Sequence, residues 1–559
     1  MIVGIDMGGT NIDGVVIEEG RIIKTIKRPS HRKDVFNTIY STLKELLKDI
    51  DKAKIKRINL STTVSTNAIV EGKLAKVGMI IQPGPGMPYD HLACGDENAF
   101  ISGYIDHRGK VIEGLKLEEI EEISQDFKKK GMEACGVVTK FSTRNPEFEL
   151  EIKDLLKENF HIITMGHRMS GKLNFPRRVY TSYLNSAVYS TFKDFARNLK
   201  RSLEGEGITA PLYILKSDGG TMTLAKAEEK PVETILSGPA ASFMGLTALL
   251  PTDKDAILLD MGGTTTDIFF LADGVPLFEP LGIKIGSYKT LVRSIYSISI
   301  GLGGDSSIQL IDGRLKIGPR REGAPYAYGG PKATPTDAMI SLGLLQGAEG
   351  SRERAMEAIT ELGKELDLSC QETARLILKT MGQIIREKIQ SLLNEINSQP
   401  VYTIKELLYG KKLNPQLINI IGGPAKILAA ILEEEMGLPC YYPESYLVAN
   451  AVGAALARPT MELSMHVDTA KKLLSVPELG LYERVNSSFN LTKAKDKALE
   501  LIRDRARDLG YLSKDIEAEI TEESSFNMVR GFFTTGKDIR VRAQITPGLI
   551  QELRGDDNA

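Results

Sequence analysis

The spacing of apolar residues changes several times near the start of the chain, and each change predicts a different element. The apolar run at residues 2–5 predicts a buried strand, and the β-branched stretches at 14–18 and 21–27, joined by Glu-Gly, predict a hairpin. Apolar residues at helical spacing predict a helix over about 34–47, and residues 58–60 read as the next strand. The opening of the chain is therefore a mixed α/β pattern.

The second half of the chain repeats this opening. Residues 256–259 and 268–271 are strand-like, and Ala-Asp-Gly at 272–274 predicts a turn before another short strand. No other internal period is visible in the sequence, so the pattern predicts the duplication of one domain type and not a solenoid.

Longer periodic segments organise the rest of the chain. Residues 177–205 predict an amphipathic helix that crosses between the halves, and residues 352–396 predict another helical stretch. Residues 489–510 predict a charged amphipathic helix, and the apolar alternation at 539–545 predicts a strand. The predicted units are an N-terminal domain at 1–180, a second domain at 181–458 and a small α+β region at 459–559.

Composition and charge exclude several classes of partner. The 559 residues are 42% apolar and 26% charged, which is typical of a globular protein with more than one core. A net charge of −2 gives no reason to expect nucleic acid or an anionic membrane as a partner. No apolar run approaches the roughly 18 residues that a membrane helix needs, and the N-terminus lacks a signal pattern. The four cysteines and six histidines are scattered, without disulfide or zinc spacing, which suits a cytoplasmic protein.

One turn sequence occurs twice. Asp-Met-Gly-Gly-Thr begins at Asp6 and again at Asp260, and in both copies an Asp follows seven residues after the first, at Asp13 and Asp267. We call residues 6–13 the first glycine hairpin and residues 260–267 the second. Glycines in such turns leave backbone N–H groups uncovered, and successive N–H groups form a concave site for phosphate oxygens. Asp6 and Asp260 are candidate Mg²⁺ ligands, acting through water.

The alternative interpretation is structural. A single Asp-x-Gly-Gly-Thr is a common hairpin turn, and Asp13 and Asp267 can equally stabilise the hairpins. A third segment favours nucleotide binding: the strand-like residues 417–421 enter Gly422, Gly423 and Pro424 and then a helix. This geometry suits close backbone approach to a nucleotide.

The three segments in this order resemble the actin, hexokinase and Hsp70 superfamily of ATP-binding proteins. The resemblance implies an α/β fold of two duplicated ribonuclease-H-like domains, with ATP and Mg²⁺ in the cleft between them. It places the nucleotide on residues from all three segments: Gly8, Gly9, Thr10, Asn11, Asp13, Gly262, Gly263, Thr264, Thr265, Asp267, Gly422, Gly423 and Pro424.

Further motifs resemble the hydantoinase A and 5-oxoprolinase family, which includes relatives of acetone carboxylase. They follow the family's order at 61–71, 217–220, 231–240, 301–304, 334–338 and 450–458, so the resemblance spans about residues 2–458. It implies that ATP phosphorylates a carbonyl of a small cyclic amide, such as a hydantoin or 5-oxoproline, to activate the ring for opening. It also implies a B-type partner subunit, because the family's B-type region is absent here.

The family motifs add candidate site residues. Thr63 and Asn67 lie on a loop that should face the substrate and join Asp6 and Asp260 as candidate catalytic residues; turn or N-cap chemistry is the alternative. Gly301, Gly303 and Gly304 either line the nucleotide or permit a tight turn. Two other functions stay open: an ATP-driven activator of a partner protein, and a small-molecule kinase or carboxylase subunit. Self-association of the chain is also left open.

The resemblance is weakest near the expected substrate site. The family's acidic residues before the crossing helix are replaced here by Arg168, Phe175 and Arg177, although His167 is kept. The Asp-x-His that precedes the glycine loop in the family reads Tyr-Ser-Ile at 296–298. A lone histidine is more often a hydrogen-bonded structural residue than a catalyst. The exchange of acidic for basic residues would suit a more anionic substrate.

Overall fold

The duplicated opening is visible in a computed structural model that describes residues 1–9, 11–30, 35–345, 350–398, 412–511 and 516–554. The first sheet is built around the strand Ile2–Met7, which pairs antiparallel with the next strand and parallel with Arg57–Thr62. In spatial order, its strands are Thr221–Thr223, Leu212–Leu215, Arg57–Thr62, Ile2–Met7, Asn11–Glu18 and Arg21–Pro29. The predicted Glu-Gly turn is present, with Glu19 and Gly20 at φ of 48° and 82°.

The second sheet repeats this pairing. Ala256–Met261 pairs antiparallel with the strand after it and parallel with Leu417–Ile421, as Ile2–Met7 does in the first sheet. Its strands are Val275–Pro276, Thr266–Ala272, Ala256–Met261, Leu417–Ile421 and Cys440–Tyr441 in spatial order, with Ile298–Ile300 also paired to Thr266–Ala272. Their near-continuous apolar character is typical of strands that are covered on both faces.

Two closely packed helices lie between the first and second sheets. Ser237–Leu249 and Ala449–Leu456 pack against each other and share one apolar core with residues of both sheets. They cross very closely: a Cβ at Gly453 would lie 2.0 Å from the carbonyl oxygen of Ala241 and 2.3 Å from the nitrogen of Gly245. Only glycine fits this crossing, so the two helices couple the sheets through direct backbone contact.

A parallel sheet forms a separate layer. Its strands are Ile163–Met165, Ala134–Thr139, Val77–Gln82 and Glu97–Phe100 in spatial order. The predicted crossing helix is Phe175–Gly205, and it contributes to the cores of both the parallel sheet and the first sheet. The first sheet also contains two strands from beyond residue 180, Leu212–Leu215 and Thr221–Thr223. The division of the chain at residue 180 stays a prediction.

The region after residue 459 forms an α+β unit, as the periodicity predicts. The C-terminal sheet has the strand order Leu481–Arg484, Leu473–Val476, Met461–Asp468, Phe533–Ile545 and Ala518–Arg530. The helix Leu491–Asp508 packs on it through Ala494, Ala498, Ile502 and Ala506, begins at the N-cap Asn490 and is followed by Gly510 at φ 79°. These bounds agree with the predicted helix.

The helical stretch predicted over 352–396 is wrong as one continuous segment. It divides into Arg352–Lys364 and Cys370–Ser398, because the chain turns at Asp367, whose φ is 55°. The N–H of Leu368 closes this turn on the carbonyl of Gly363. When two helices are separated by a short turn and the apolar spacing continues after it, spacing alone cannot distinguish them from one helix.

Shorter elements connect these layers. The other α-helices are Val35–Leu46, Val64–Val70, Leu117–Lys129, Glu147–Leu156, Gly166–Met169, Leu224–Glu229, Pro335–Ser341 and Ala425–Met436. Small two-stranded ribbons pair Tyr104–Ile105 with Val111–Glu113, Lys284–Ile285 with Tyr288–Lys289 and Ile308–Ile311 with Arg314–Ile317. Within the described residues, none of the helices has the length and apolar character required to cross a membrane.

Candidate functional site

The two glycine hairpins have the same backbone geometry. The N–H of Gly8 donates to the carbonyl of Asn11 at 3.0 Å, and the N–H of Gly262 donates to the carbonyl of Thr265 at 2.9 Å. In each hairpin the two aspartates are direct cross-strand partners, Asp6 with Asp13 and Asp260 with Asp267. The repeated sequence therefore forms the same turn twice, at the end of the first strand of each large sheet.

The hairpins bring their carboxylates close together. Burial, together with the negative charges of Asp13 and Asp260, raises the pKa of Asp6 to about 7. Asp6 is 5% exposed, and its Oδ1 atom is buried without a hydrogen-bond partner. Because Asp260 belongs to the other hairpin, this repulsion indicates that the two hairpins lie near each other. Such a cluster of buried carboxylates is unfavourable unless a cation joins it.

Asp13 has a partner that the sequence did not reveal. Lys27 Nζ lies 2.8 Å from both of its carboxylate oxygens, on the strand next to it in the first sheet. Burial nevertheless raises the pKa of Asp13, with Lys27 acting in the opposite direction. The pairing Asp13↔Lys27 depends on a β-bulge between Val16 and Ile17 that shifts the register by one residue, so the turn sequence alone could not have identified Lys27.

Asp260 is held by the two helices that lie between the sheets. Its Oδ2 accepts hydrogen bonds from Ser242 Oγ at 2.5 Å and from Asn450 Nδ2 at 3.2 Å. Burial raises the pKa of Asp260, and these two hydrogen bonds partly offset the rise. Burial and the charge of Asp260 raise the pKa of Asp267 to about 7. The orientation of Asp260 therefore depends on residues distant in sequence.

The glycine loop at 301–304 packs directly on the second hairpin. The N–H of Gly304 donates to the carbonyl of Gly262 at 3.1 Å, and a Cβ at Gly303 would lie 2.5 Å from the carbonyl carbon of Gly263. A Cβ at Gly301 would meet Pro319 at 2.6 Å. The tight packing that was the alternative interpretation of these glycines is thus present, and it places their backbone beside the hairpin.

Gly422, in the third segment, lies beside Asp260 of the second hairpin. Its φ is 96°, and a Cβ there would lie 2.8 Å from Asp260 Oδ1, whereas a Cβ at Gly423 would meet nothing within 4 Å. Pro424 is the N-cap residue of the helix Ala425–Met436. A cavity of about 450 Å³ lies beside this helix, lined by Lys426, Cys440, Tyr441, Tyr442, Glu444 and Tyr446. The backbone is therefore open to a ligand from Gly423 outward.

The comparison with known families agrees with this geometry. Residues 2–160 match the Hydantoinase/oxoprolinase N-terminal region, and residues 178–463 match the Hydantoinase/oxoprolinase family. The chain belongs to the hydantoinase/oxoprolinase family. The match covers the part of the chain in which the resemblance was found.

Members of the hydantoinase/oxoprolinase family are similar to this chain along most of its length. The caprolactamase subunit alpha of Pseudomonas jessenii is 25% identical over 486 residues, which cover 78% of this chain and 67% of that protein. The solved ATP-dependent caprolactamase from the same organism aligns with a TM-score of 0.72 at 20% identity, over 97% of this chain and 87% of that one. A nucleotide-free acetone carboxylase aligns with a TM-score of 0.73 at 15% identity, over 99% and 88%. At these identities the structures show a shared fold.

Two predicted catalytic residues of this hydantoinase/oxoprolinase chain form a local network. Thr63 Oγ1 donates to the carbonyl of Met7 at 3.2 Å and accepts from Asn67 Nδ2 at 3.1 Å. Thr63 occupies the N-cap position of Val64–Val70 without a side-chain capping bond. These residues therefore hold the end of the strand that leads into the first hairpin, and a direct role in catalysis stays a prediction.

Other family motifs have structural partners. The carboxylate of Asp337 accepts hydrogen bonds from the N–H groups of Tyr326, Ala327 and Thr334, and forms a capping box with Thr334. His167 is the hydrogen-bonded histidine expected from the sequence: its Nδ1 lies 2.6 Å from Glu149 Oε2, and both residues are buried. Thr10 lies outside the described residues.

The residues at the hairpins fit a bound cation and phosphates. The orphaned Oδ1 of Asp6 and the neighbouring carboxylates of Asp13 and Asp260 suit a divalent cation. Across the described ranges, no group of three or more His, Cys, Asp or Glu side chains is arranged to hold a metal by itself. A Mg²⁺ ion here would therefore need water and phosphate oxygens to complete its coordination, which is its usual preference.

Proposed function

We propose that the chain is the ATP-binding subunit of a hydrolase that phosphorylates the carbonyl oxygen of a small cyclic amide. The observation that carries this proposal is the pair of glycine hairpins, each closed by the same hydrogen bond and each with an aspartate near the end of a buried strand, paired across the hairpin with a second aspartate. The proposal includes two duplicated ribonuclease-H-like domains of the actin type, with the nucleotide cleft between them. The repeated strand pairing of the first and second sheets supports it.

Each hairpin residue has a role in this proposal. The N–H groups around Gly8, Gly9 and Gly262, Gly263 would bind phosphate oxygens, and the open backbone at Gly423 would approach the adenosine. Asp6 and Asp260 would hold Mg²⁺, which neutralises phosphate charge when bound. Lys27 favours the ionised form of Asp13, and Ser242 and Asn450 fix the direction of the Asp260 carboxylate.

Phosphorylation makes the amide reactive. An amide carbonyl is resonance-stabilised, and transfer of the γ-phosphoryl group to its oxygen creates a good leaving group and a more electrophilic carbon. One water can then add to that carbon and the ring C–N bond opens, with the proton going to the leaving nitrogen, which leaves an acyl phosphate. A second water hydrolyses the acyl phosphate to a carboxylate and free phosphate. The chain's own part in the transfer is to position the reactants and to stabilise charge with preorganised donors.

We further propose that a second subunit completes the reaction. One similar protein is the alpha subunit of a caprolactamase, and that name implies an assembly with another kind of chain in that enzyme. In this proposal a B-type partner receives the activated amide and completes its ring opening.

The proposal is tested by nucleotide turnover. The purified chain is assayed for phosphate release from Mg²⁺–ATP with hydantoin, 5-oxoproline, caprolactam or a ketone, each with and without a candidate B-type subunit. We expect release to require both Mg²⁺ and a cyclic amide and to leave no stable phosphorylated product. A stable phosphoproduct would indicate a kinase, and stimulation by a protein alone would indicate an activator. Absence of Mg²⁺-dependent ATP or ADP binding by calorimetry would contradict all three functions.

A further inference from the structure

A cavity of about 470 Å³ lies between the parallel-sheet layer and the C-terminal sheet. One wall is Thr143, Arg144 and residues 171–173, and the other wall is the inner face of the C-terminal sheet. The first wall includes part of the segment in which this chain departs from its family. The volume is within the range of small-molecule sites, about 300–1,000 Å³.

Arg144 is a buried cation in this wall without a direct partner. Its side chain is 7% exposed, and its Nε atom is buried without a hydrogen bond. Among the described residues, no hydrogen bond or ion pair of its guanidinium is found. Burial lowers the pKa of Arg144 to about 10, so the group is still charged at neutral pH. A buried, unpaired cation is costly, which makes the site favourable for an anion.

The two carboxylates whose charges act on Arg144 already have other hydrogen-bond partners. Asp538 bonds His466 Nε2 at 2.8 Å and Arg540 Nε at 3.0 Å. Asp468 bonds Arg108 at 3.3 Å and the N–H of Lys471 at 2.9 Å. Both carboxylates act on Arg144 through space and neither contacts it. The position for a directly bound oxyanion is therefore not filled by the chain itself.

The acidic residues at the rim of the cavity also have partners, with which they form ion pairs. Glu522 forms an ion pair with Arg542, and Glu523 forms one with Lys495 at 2.8 Å. These pairs reduce the repulsion that an entering anion would otherwise meet.

The cavity also offers hydroxyl and apolar contacts. Thr143 Oγ1 and Ser464 Oγ are buried without hydrogen-bond partners, so both can donate to a ligand. Leu173, which is exposed, gives part of the lining an apolar character.

We propose that this cavity binds a small organic anion, with its oxyanion on Arg144 and its apolar body against Leu173. The planar guanidinium matches a carboxylate or a phosphate with two parallel hydrogen bonds. The unpaired hydroxyls of Thr143 and Ser464 complete the contacts to the oxyanion. The site is separate from the glycine hairpins and does not depend on the function proposed for them.

The test compares three probes of equal shape. Benzoate, phenyl phosphate and the neutral benzamide are titrated into the full chain by calorimetry and saturation-transfer NMR. We expect at least one anion to bind at least tenfold more tightly than benzamide. Preference between benzoate and phenyl phosphate identifies the oxyanion. Equal affinity of all three probes, or no binding of either anion at 10 mM (roughly the weak limit of a specific site), would overturn the proposal.

Variants locate the site. Arg144→Gln should weaken anion binding at least tenfold, Arg144→Lys should keep part of it, and neither should change the affinity for benzamide. Arg197→Gln, which removes an exposed arginine from the crossing helix, is the matched control and should bind like the parent chain. Circular dichroism and thermal unfolding establish that each variant is folded. Unchanged anion affinity in folded Arg144→Gln would show that the anion binds elsewhere and would refute the assignment.

Discussion

Lys27 Nζ lies 2.8 Å from both carboxylate oxygens of Asp13, and the same ammonium donates to the carbonyl of Leu447 at 2.9 Å. Leu447 immediately precedes the helix Ala449–Leu456, whose Asn450 bonds Asp260. One lysine of the first sheet therefore contacts the first hairpin and the segment that supports the second. The relative position of the two hairpins depends on this contact.

Replacing Lys27 should destabilise the protein moderately. Lys27→Met leaves the buried Asp13 carboxylate without its cation, and we expect the free energy of unfolding to fall by about 1–2 kcal/mol. The cost is below that of a fully buried pair because the Lys27 side chain is 38% exposed. Urea unfolding at pH 7 measures it. Lys24→Met on the same strand is the control, and equal losses in the two variants would mean that the Asp13 pair contributes nothing.

Removing a hairpin carboxylate should abolish turnover without unfolding the chain. Asp6→Asn and Asp260→Asn should each lower Mg²⁺-dependent ATP turnover at least about 100-fold, because each removes a charge that holds the metal and phosphates. Asp6→Asn should not lower the stability of the nucleotide-free chain, because burial already disfavours its charged form. Phosphate release and urea unfolding are measured together. The exposed Asp312→Asn serves as the control, and full activity in either hairpin variant would contradict the metal assignment.

A side chain at Gly453 should disrupt the packing between the sheets. In Gly453→Ala the new Cβ would lie 2.0 Å from the carbonyl oxygen of Ala241, so the helices must separate. We expect a loss of about 3 kcal/mol or more, the upper range for overpacking. Gly114→Ala is the matched control, because a Cβ there meets nothing within 4 Å. Denaturant unfolding compares the two, and a similar small effect in both would show that the crossing is not tight in solution.

Acid should weaken a buried ion cluster around Glu233. Its carboxylate lies 3.2 Å from Lys216 Nζ and 3.6 Å from Lys230 Nζ. Burial raises the pKa of Glu233, but the two lysines outweigh it and bring the pKa to about 2, from 4.5. Because the folded-state pKa is lowered, the stabilisation is complete above about pH 4.5 and is lost as the pH falls towards 2.

Glu233→Gln should therefore lower the free energy of unfolding by about 2 kcal/mol at pH 7. Between pH 5 and pH 2 the variant should lose less stability than the parent chain, and urea unfolding across this range measures the difference. Glu361→Gln, which breaks an exposed pair with Lys364, is the control and should leave the pH dependence unchanged. Parallel pH curves for Glu233→Gln and the parent would contradict the prediction.

Local patterns were sufficient for most elements and for the turns of the site. The strands around Asp6 and Asp260, the crossing helix and the helix Leu491–Asp508 lie where the periodicity predicts them, within a few residues at each end. The helical stretch predicted over 352–396 is present as two helices, and the spacing did not reveal the turn at Asp367 that separates them. The roles of the site residues are still predictions, because no nucleotide or substrate defines them.

The sequence by itself determined the two glycine hairpins, because each lies within a short segment whose turn residues and flanking strands fix its shape. Only the tertiary structure decided what surrounds the carboxylates. Ser242 and Asn450 meet on Asp260 from different helices, and Arg144 faces a sheet that begins more than 300 residues later in the chain. The physical reason is that burial and charge at a point in space are set by long-range packing, which residue spacing along the chain does not record.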